Sequence, residues 1–225
     1  MTAVAYLTIF CQSCKTIGSS EEGVISYEIT YPKPPKSDLT KSMMPSEMEL
    51  KFKDDKYLTF ISFGFGLVKM QYFSDDKKKE LYELIAIGKE RVASHNTPEN
   101  IGDLLKITPE HTVTLVEGET KEIAGYDCLK AKVKVGGANP YEFDAYYTMD
   151  LPLIDPNWCT PFKGIPGVLM QYQVEQFDVR MEFTAKSVEF IRQDAKEFSV
   201  PDDYSIVNRQ KMDSVRVQLK ELSEE

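Results

Sequence analysis

The sequence is short of the residues that most often do chemistry. It has two histidines, His95 and His111, and one tryptophan, Trp158, in 225 residues. Neither histidine sits beside a cysteine or serine in a recognisable nucleophile setting. No His-x-His, His-Glu-x-x-His or cysteine cluster is spaced for a metal. Gly64-Phe65-Gly66 lacks the third glycine and the following helix of a phosphate-binding loop. These gaps argue against an enzyme and imply no cofactor. Positive charge is scarce as well: the net charge is −9, and neutralising nucleic-acid phosphates requires clustered lysine and arginine. No apolar run approaches the ~20 residues of a membrane-spanning helix. The four cysteines (Cys11, Cys14, Cys128, Cys159) are too few for a disulfide-stapled miniprotein. Cys128 and Cys159 are candidates for one bridge if the compartment is oxidising.

What is present is globular composition, 42% hydrophobic and 28% charged, on a chain long enough for one large domain. Residues 1–22 read as a leader and tether. An apolar run over residues 3–10 precedes Cys11-Gln12-Ser13-Cys14 and a small polar stretch, which fits an export signal. If the leader is of the lipoprotein type, Cys14, preceded by Ser13, is the lipidation candidate. A buried first strand and a redox or metal-binding Cys-x-x-Cys are the alternatives.

Residues 23–210 read as a single β domain. Ile25, Tyr27, Ile29 and Tyr31 alternate with polar residues, as in a half-buried strand. Met48, Leu50 and Phe52 repeat the pattern, and Asp54-Asp55 suits a hairpin turn. Residues 57–65 are apolar on both faces, so this strand should be covered on both sides, with Phe63 and Phe65 pointing the same way. Gly64 and Gly66 suggest a bulge in a coiled strand that continues through residue 73. Residues 81–87 read as strand and residues 95–103 as loop. Lys130, Lys132 and Lys134 face Glu142 and Asp144 across a predicted hairpin, at ~0.2–1 kcal/mol per pair. Residues 150–163 form a long proline-rich loop carrying Trp158, a plausible binding edge. Pro166-Gly167 suggests a type II turn with positive φ at the glycine, and Gly164 and Gly167 let neighbouring backbone pass close by; the turn feeds a strand with Val168, Met170, Tyr172 and Val174 on one face. Residues 211–225 read as a C-terminal amphipathic helix or tail. The fold class is therefore mainly β, one antiparallel sheet in hairpin order with a few short helices.

The segment Gly164-Ile165-Pro166-Gly167-Val168-Leu169 resembles the motif that names the GLPGLI family of secreted proteins of Gram-negative bacteria, whose activity is not established. Tyr146-Tyr147 and Val200-Pro201-Asp202-Asp203-Tyr204 also look like that family. The wider resemblance is to the lipoprotein-carrier (LolA/LolB-like) superfamily. It implies a strongly curved antiparallel sheet, an open half-barrel, with helices plugging the concave side and a cavity for acyl chains. It also implies a periplasmic or outer-membrane-anchored location.

Methionines on strands suit irregular apolar cavities. Candidate ligand-binding residues are Met48, Phe52, Phe63 and Met170, together with Tyr172, Met181, Phe183 and Trp158. The leading expectation is a non-enzymatic envelope protein that binds a lipid or other apolar small molecule in the concavity of the sheet. The alternative is an envelope protein–protein interaction module with a filled core.

Overall fold

The computed structural model describes residues 22–35, 38–106, 108–176 and 179–224. The leader expected at residues 1–22, with Cys11 and Cys14, lies outside them but for Glu22. The strands of the first half are β1 (Glu22–Lys33), β2 (Glu47–Lys53), β3 (Lys56–Phe63), β4 (Val68–Asp75), β5 (Glu80–Ile87) and β6 (Glu90–Asn96). Those of the second half are β7 (His111–Ile123), β8 (Tyr126–Val135), β9 (Tyr141–Thr148), β10 (Val168–Gln176), β11 (Val179–Glu189) and β12 (Ser205–Ile206). Helices α1 (Asp38–Met43), α2 (Pro98–Leu105) and α3 (Arg209–Glu224) complete the chain.

The fold is mainly β, with one open sheet of 12 strands in the order β12-β6-β5-β4-β3-β2-β1-β11-β10-β9-β8-β7. It consists of two antiparallel meanders, β1 to β6 and β7 to β11, joined where β1 pairs with β11 from Val24↔Glu189 to Lys33↔Arg180. The short β12 adds to β6 in parallel, the one parallel ladder among the described residues. The sheet must curl. Tyr72 of β4 and Val135 of β8 line one hollow, although six strands separate them in the sheet order. At ~4.8 Å per strand a flat sheet would hold them more than ~30 Å apart.

Alternation sets which side chains enter the concave side. Tyr27, Ile29, Met48, Met181 and Phe183 are all buried there. On the convex side Leu58 and Phe73 pack under Phe198, so β3 is covered on both faces, as its two-sided apolar pattern requires. Helix α3 is anchored rather than a loose tail. Its Met212, Val215 and Leu219, at helical spacing, pack against Val68, Met70, Ile85 and Val92. The predicted hairpin pairs form: Lys132 lies opposite Asp144 and Lys134 opposite Glu142, with Lys130 reaching Asp144 at 2.8 Å and Lys134 reaching Glu142 at 3.2 Å.

Several local expectations are corrected. Residues 95–103 are not a loop: β6 runs to Asn96 and Pro98 opens α2. Proline is favoured at the first helical position, where its missing N–H has no partner to lose, and Asn100 Oδ1 accepts from the Thr97 N–H at 2.7 Å. Gly64 and Gly66 do not mark a bulge in a continuing strand. Gly64, Phe65 and Gly66 are all left-handed, with φ of 57°, 55° and 89°, and reverse the chain into β4. Phe65 is consequently thrown outward and is 88% exposed. Met149, which strict alternation from Tyr141, Phe143, Ala145 and Tyr147 would turn inward, is also exposed, because β9 ends at Thr148.

Gly167 is needed for the close backbone approach and not for the type II turn that Pro166-Gly167 suggests. It is absent from the positive-φ residues, so the turn is not type II. A Cβ there would lie 2.3 Å from the Thr148 carbonyl oxygen, because β9 and β10 approach each other at that point. Gly167→Ala is therefore expected to destabilise by more than the ~1–2 kcal/mol of placing alanine at a left-handed position. Gly118→Ala, at φ 75° in open space, is the reference for that smaller cost. Urea unfolding of the two variants measures the difference.

Candidate functional site

The concave face does not fill. A cavity of about 350 Å³ remains beneath the curled sheet. Its walls come from seven adjacent strands: Leu81, Met70, Tyr57, Met48 and Tyr27 from β5 to β1, then Met181 of β11 and Tyr172 of β10. The floor is closed by Leu104 and Leu105 of α2, Arg216 of α3, and the 156–162 stretch of the long loop. A second hollow of about 110 Å³ adjoins it beside α1. The two share Phe63, Met70, Gln176 and Met181. Most of the lining is apolar because the inward positions of alternating strands are apolar.

The exception is a charged pair. Glu83 of β5, only 2% exposed, receives Arg216 Nε at 3.2 Å and also Nη2. Arg216 Nη1 donates to Asp213 one turn back on α3. Burial opposes the guanidinium charge, but the Glu83 carboxylate overrides it and leaves the Arg216 pKa raised. Tyr72 lies opposite Glu83 across the β4–β5 ladder, and burial first and the Glu83 charge second push its phenol up. Sequence reading passed over this pair. The signal available was Glu83 itself, a lone charge on the Leu81-Glu83-Ile85-Ile87 face, and Arg216 on the Met212-Leu219 face of α3.

Of the predicted binding residues, Met48, Phe63, Tyr172, Met181 and Phe183 come together on the cavity lining. Tyr172 stacks on Phe183 with ring centres 5.0 Å apart and meets Tyr27 edge-on at 6.2 Å. Three candidates are placed elsewhere. Phe52 packs edge-on against Phe190 at 5.9 Å, and Met170 is fully buried in the core. Trp158 turns away from the cavity. The candidate Cys128–Cys159 bridge is not formed, and both thiols are free and buried. Each sulfur is engaged locally, Cys128 with the Tyr126 carbonyl at 3.3 Å and Cys159 with the Tyr57 hydroxyl at 3.1 Å. Burial pushes both thiols up to about 11, which leaves them poor nucleophiles at neutral pH.

Trp158 instead pins the long loop to the β4–β5 turn. Its Nε1 donates to Asp76 Oδ1 at 2.8 Å and to Ser74 Oγ at 3.0 Å, and Ser74 Oγ donates to Asp76 Oδ1 at 2.7 Å. Lys79 Nζ lies 5.2 Å from the centre of the indole ring. Asp76 Oδ2 is buried with no hydrogen-bond partner among the described residues. Burial pushes this carboxyl up to about 6, against the bonds from Ser74 and Trp158. His95 stacks on Tyr82 at 4.4 Å, and His111 Nδ1 lies 2.7 Å from the Pro109 carbonyl.

No family model and no curated protein matches this chain. A solved structure of PNGF-II, in space group P21, is similar in fold. The TM-score is 0.54 at 16% identity, over 88% of this chain and 33% of that chain. This chain thus spans about a third of the length of that neighbour. At this identity the likeness concerns the fold alone.

Two outcomes follow from the buried charges. Asp76 titrates near 6 in the folded protein against an ordinary 3.8, so the folded state holds the proton more tightly than the unfolded chain. Stability should rise as pH falls through about 6 and level off below about 4, by roughly 3 kcal/mol in all. Asp76→Asn should flatten that part of the profile, as measured by urea unfolding at stepped pH. Glu83→Ala strands Arg216 beneath the sheet and should cost about 3 kcal/mol. That is the low end for a broken buried pair, since the arginine is 18% exposed and keeps Asp213. The double variant Glu83→Leu/Arg216→Leu should lose much less.

Proposed function

We propose that this protein is a non-enzymatic, exported envelope protein of the GLPGLI type that holds a lipid or other apolar ligand in the concavity of its sheet. The observation that carries this reading is the unfilled hollow. Protein interiors pack as densely as organic crystals, and voids beyond the size of a water molecule are few. Here about 350 Å³ stays open among Met48, Ile61, Met70, Tyr172, Met181 and Phe183. That falls in the ~300–1,000 Å³ range of small-molecule sites. The methionines suit a ligand of variable shape, because an unbranched thioether repacks at little cost. Each methylene transferred from water into such a site contributes ~0.8 kcal/mol, so an acyl chain gains enough to offset the cost of association.

The 150–163 loop favours this reading over a protein-partner module. Instead of projecting as an edge, it sends Asn157, Cys159 and Phe162 to the cavity and buries Leu151 and Leu153 in the core.

Native mass spectrometry of the protein with added lipid tests the reading. A one-to-one adduct that extracts into organic solvent is expected. Leu50→Trp and Val174→Trp place bulk in the cavity at half-buried positions. They should weaken uptake by about tenfold or more while shifting Tm by only a few degrees. A bare polypeptide mass under all lipid additions would rule the reading out.

A further inference from the structure

We infer that the cavity takes an uncharged amphiphile whose hydroxyl-type head donates to Glu83, and that it turns away fatty-acid anions. This rests on the lipid-binding reading above and names the class of ligand. Among the described residues, Glu83 and Arg216 are the charged side chains of the cavity lining, and the adjoining hollow has none. A bound carboxylate or phosphate needs a cation free to receive it. Arg216 is already answered: Nε and Nη2 donate to Glu83 and Nη1 to Asp213, three of its five N–H donors. Two carboxylates therefore surround one guanidinium, and the local charge is negative before any ligand arrives. A further anion would be desolvated without a partner, the situation buried charges avoid.

A hydroxyl fits where an anion does not. A carboxylate offers about four acceptor sites. Arg216 occupies two of Glu83's, and Tyr72 is its cross-strand neighbour. That leaves acceptor capacity for a donor from the ligand, and a hydrogen bond to an ionised acceptor is among the stronger kinds. The remaining polar lining, such as Thr59, Thr108 and Gln176, is neutral and suits a neutral head.

The test compares dodecanol, dodecanoate and dodecane by calorimetric titration of the full chain near pH 8. At that pH the acid is ionised. Dodecanol is expected to bind tighter than dodecanoate by at least about tenfold, and tighter than dodecane. Glu83→Gln releases Arg216 from its main partner, so the alcohol-to-acid preference should fall by about tenfold. Dodecanoate binding as well as dodecanol would overturn the inference and leave the cavity reading standing. Dodecane matching dodecanol, or an unchanged preference in Glu83→Gln, would do the same. Binding of none of the three would overturn the cavity reading and this inference with it. The three-ligand comparison uses the unaltered protein, so it decides the matter whatever the variant's stability.

Discussion

The pairing of β1 with β11 is the contact on which the rest of the architecture depends. Each meander assembles from neighbours in sequence, β1 to β6 and β7 to β11. Only the ladder from Val24↔Glu189 to Lys33↔Arg180 makes one sheet of the two halves. It demands close approach: a Cβ on Gly23 would lie 2.4 Å from the Glu189 carbonyl oxygen. It also places Tyr27 beside the second meander, where its hydroxyl donates to the Leu169 carbonyl at 2.8 Å, 142 residues away. Such a junction must be closed against the entropy of a long loop. Its gain comes from the inward side chains of β1 and β11, Ile25, Tyr27, Ile29, Met181 and Phe183, which share one core cluster.

Once the halves are joined, the right-handed twist of the strands and the arrival of α3 and the 150–167 segment on the concave side decide how much space is left. The segment is held by side-chain bonds rather than regular structure. Asn157 Nδ2 donates to the carbonyls of Ile165 and Gly167 at 2.8 Å each, and Trp158 reaches across to the β4–β5 turn. The long loop is thus fixed at Asn157 and Trp158, and it closes the cavity floor without filling it.

Two buried carboxylates show how differently the same group behaves under one sheet. Glu83 has a guanidinium on it and a phenol beside it, and its charge is answered. Asp76 accepts two neutral hydrogen bonds and has one oxygen unanswered, so burial dominates its titration. Desolvation opposes ionisation of Asp76, which has no guanidinium against it as Glu83 has. The Glu83–Arg216 pair also ties α3 to β5, so the helix that closes one side of the cavity is held by apolar packing and by charge together.

Much of the fold was legible because side-chain alternation is a local property. The inward residues of β1, the two-sided covering of β3, the lysine–acid pairs of the β8–β9 hairpin and the helical spacing of Met212, Val215 and Leu219 all follow from residues a few positions apart. Helix α2 was hidden because Pro98 and Gly102 are loop signals as well as helix-terminus signals. The close backbone approach at Gly167 was legible from the glycine itself, but its partner, the Thr148 carbonyl, was not, because nothing local says which strand passes there. By itself the sequence determined that the chain is mainly β, in hairpin order, with apolar inward faces. Tertiary structure alone decided that β1 meets β11, that five of the eight candidate side chains line one cavity while Phe52, Met170 and Trp158 do not, and that Glu83 finds Arg216, 133 residues away. The physical reason is that alternation says which way a side chain points within its strand, whereas the curl of the sheet determines what it meets there.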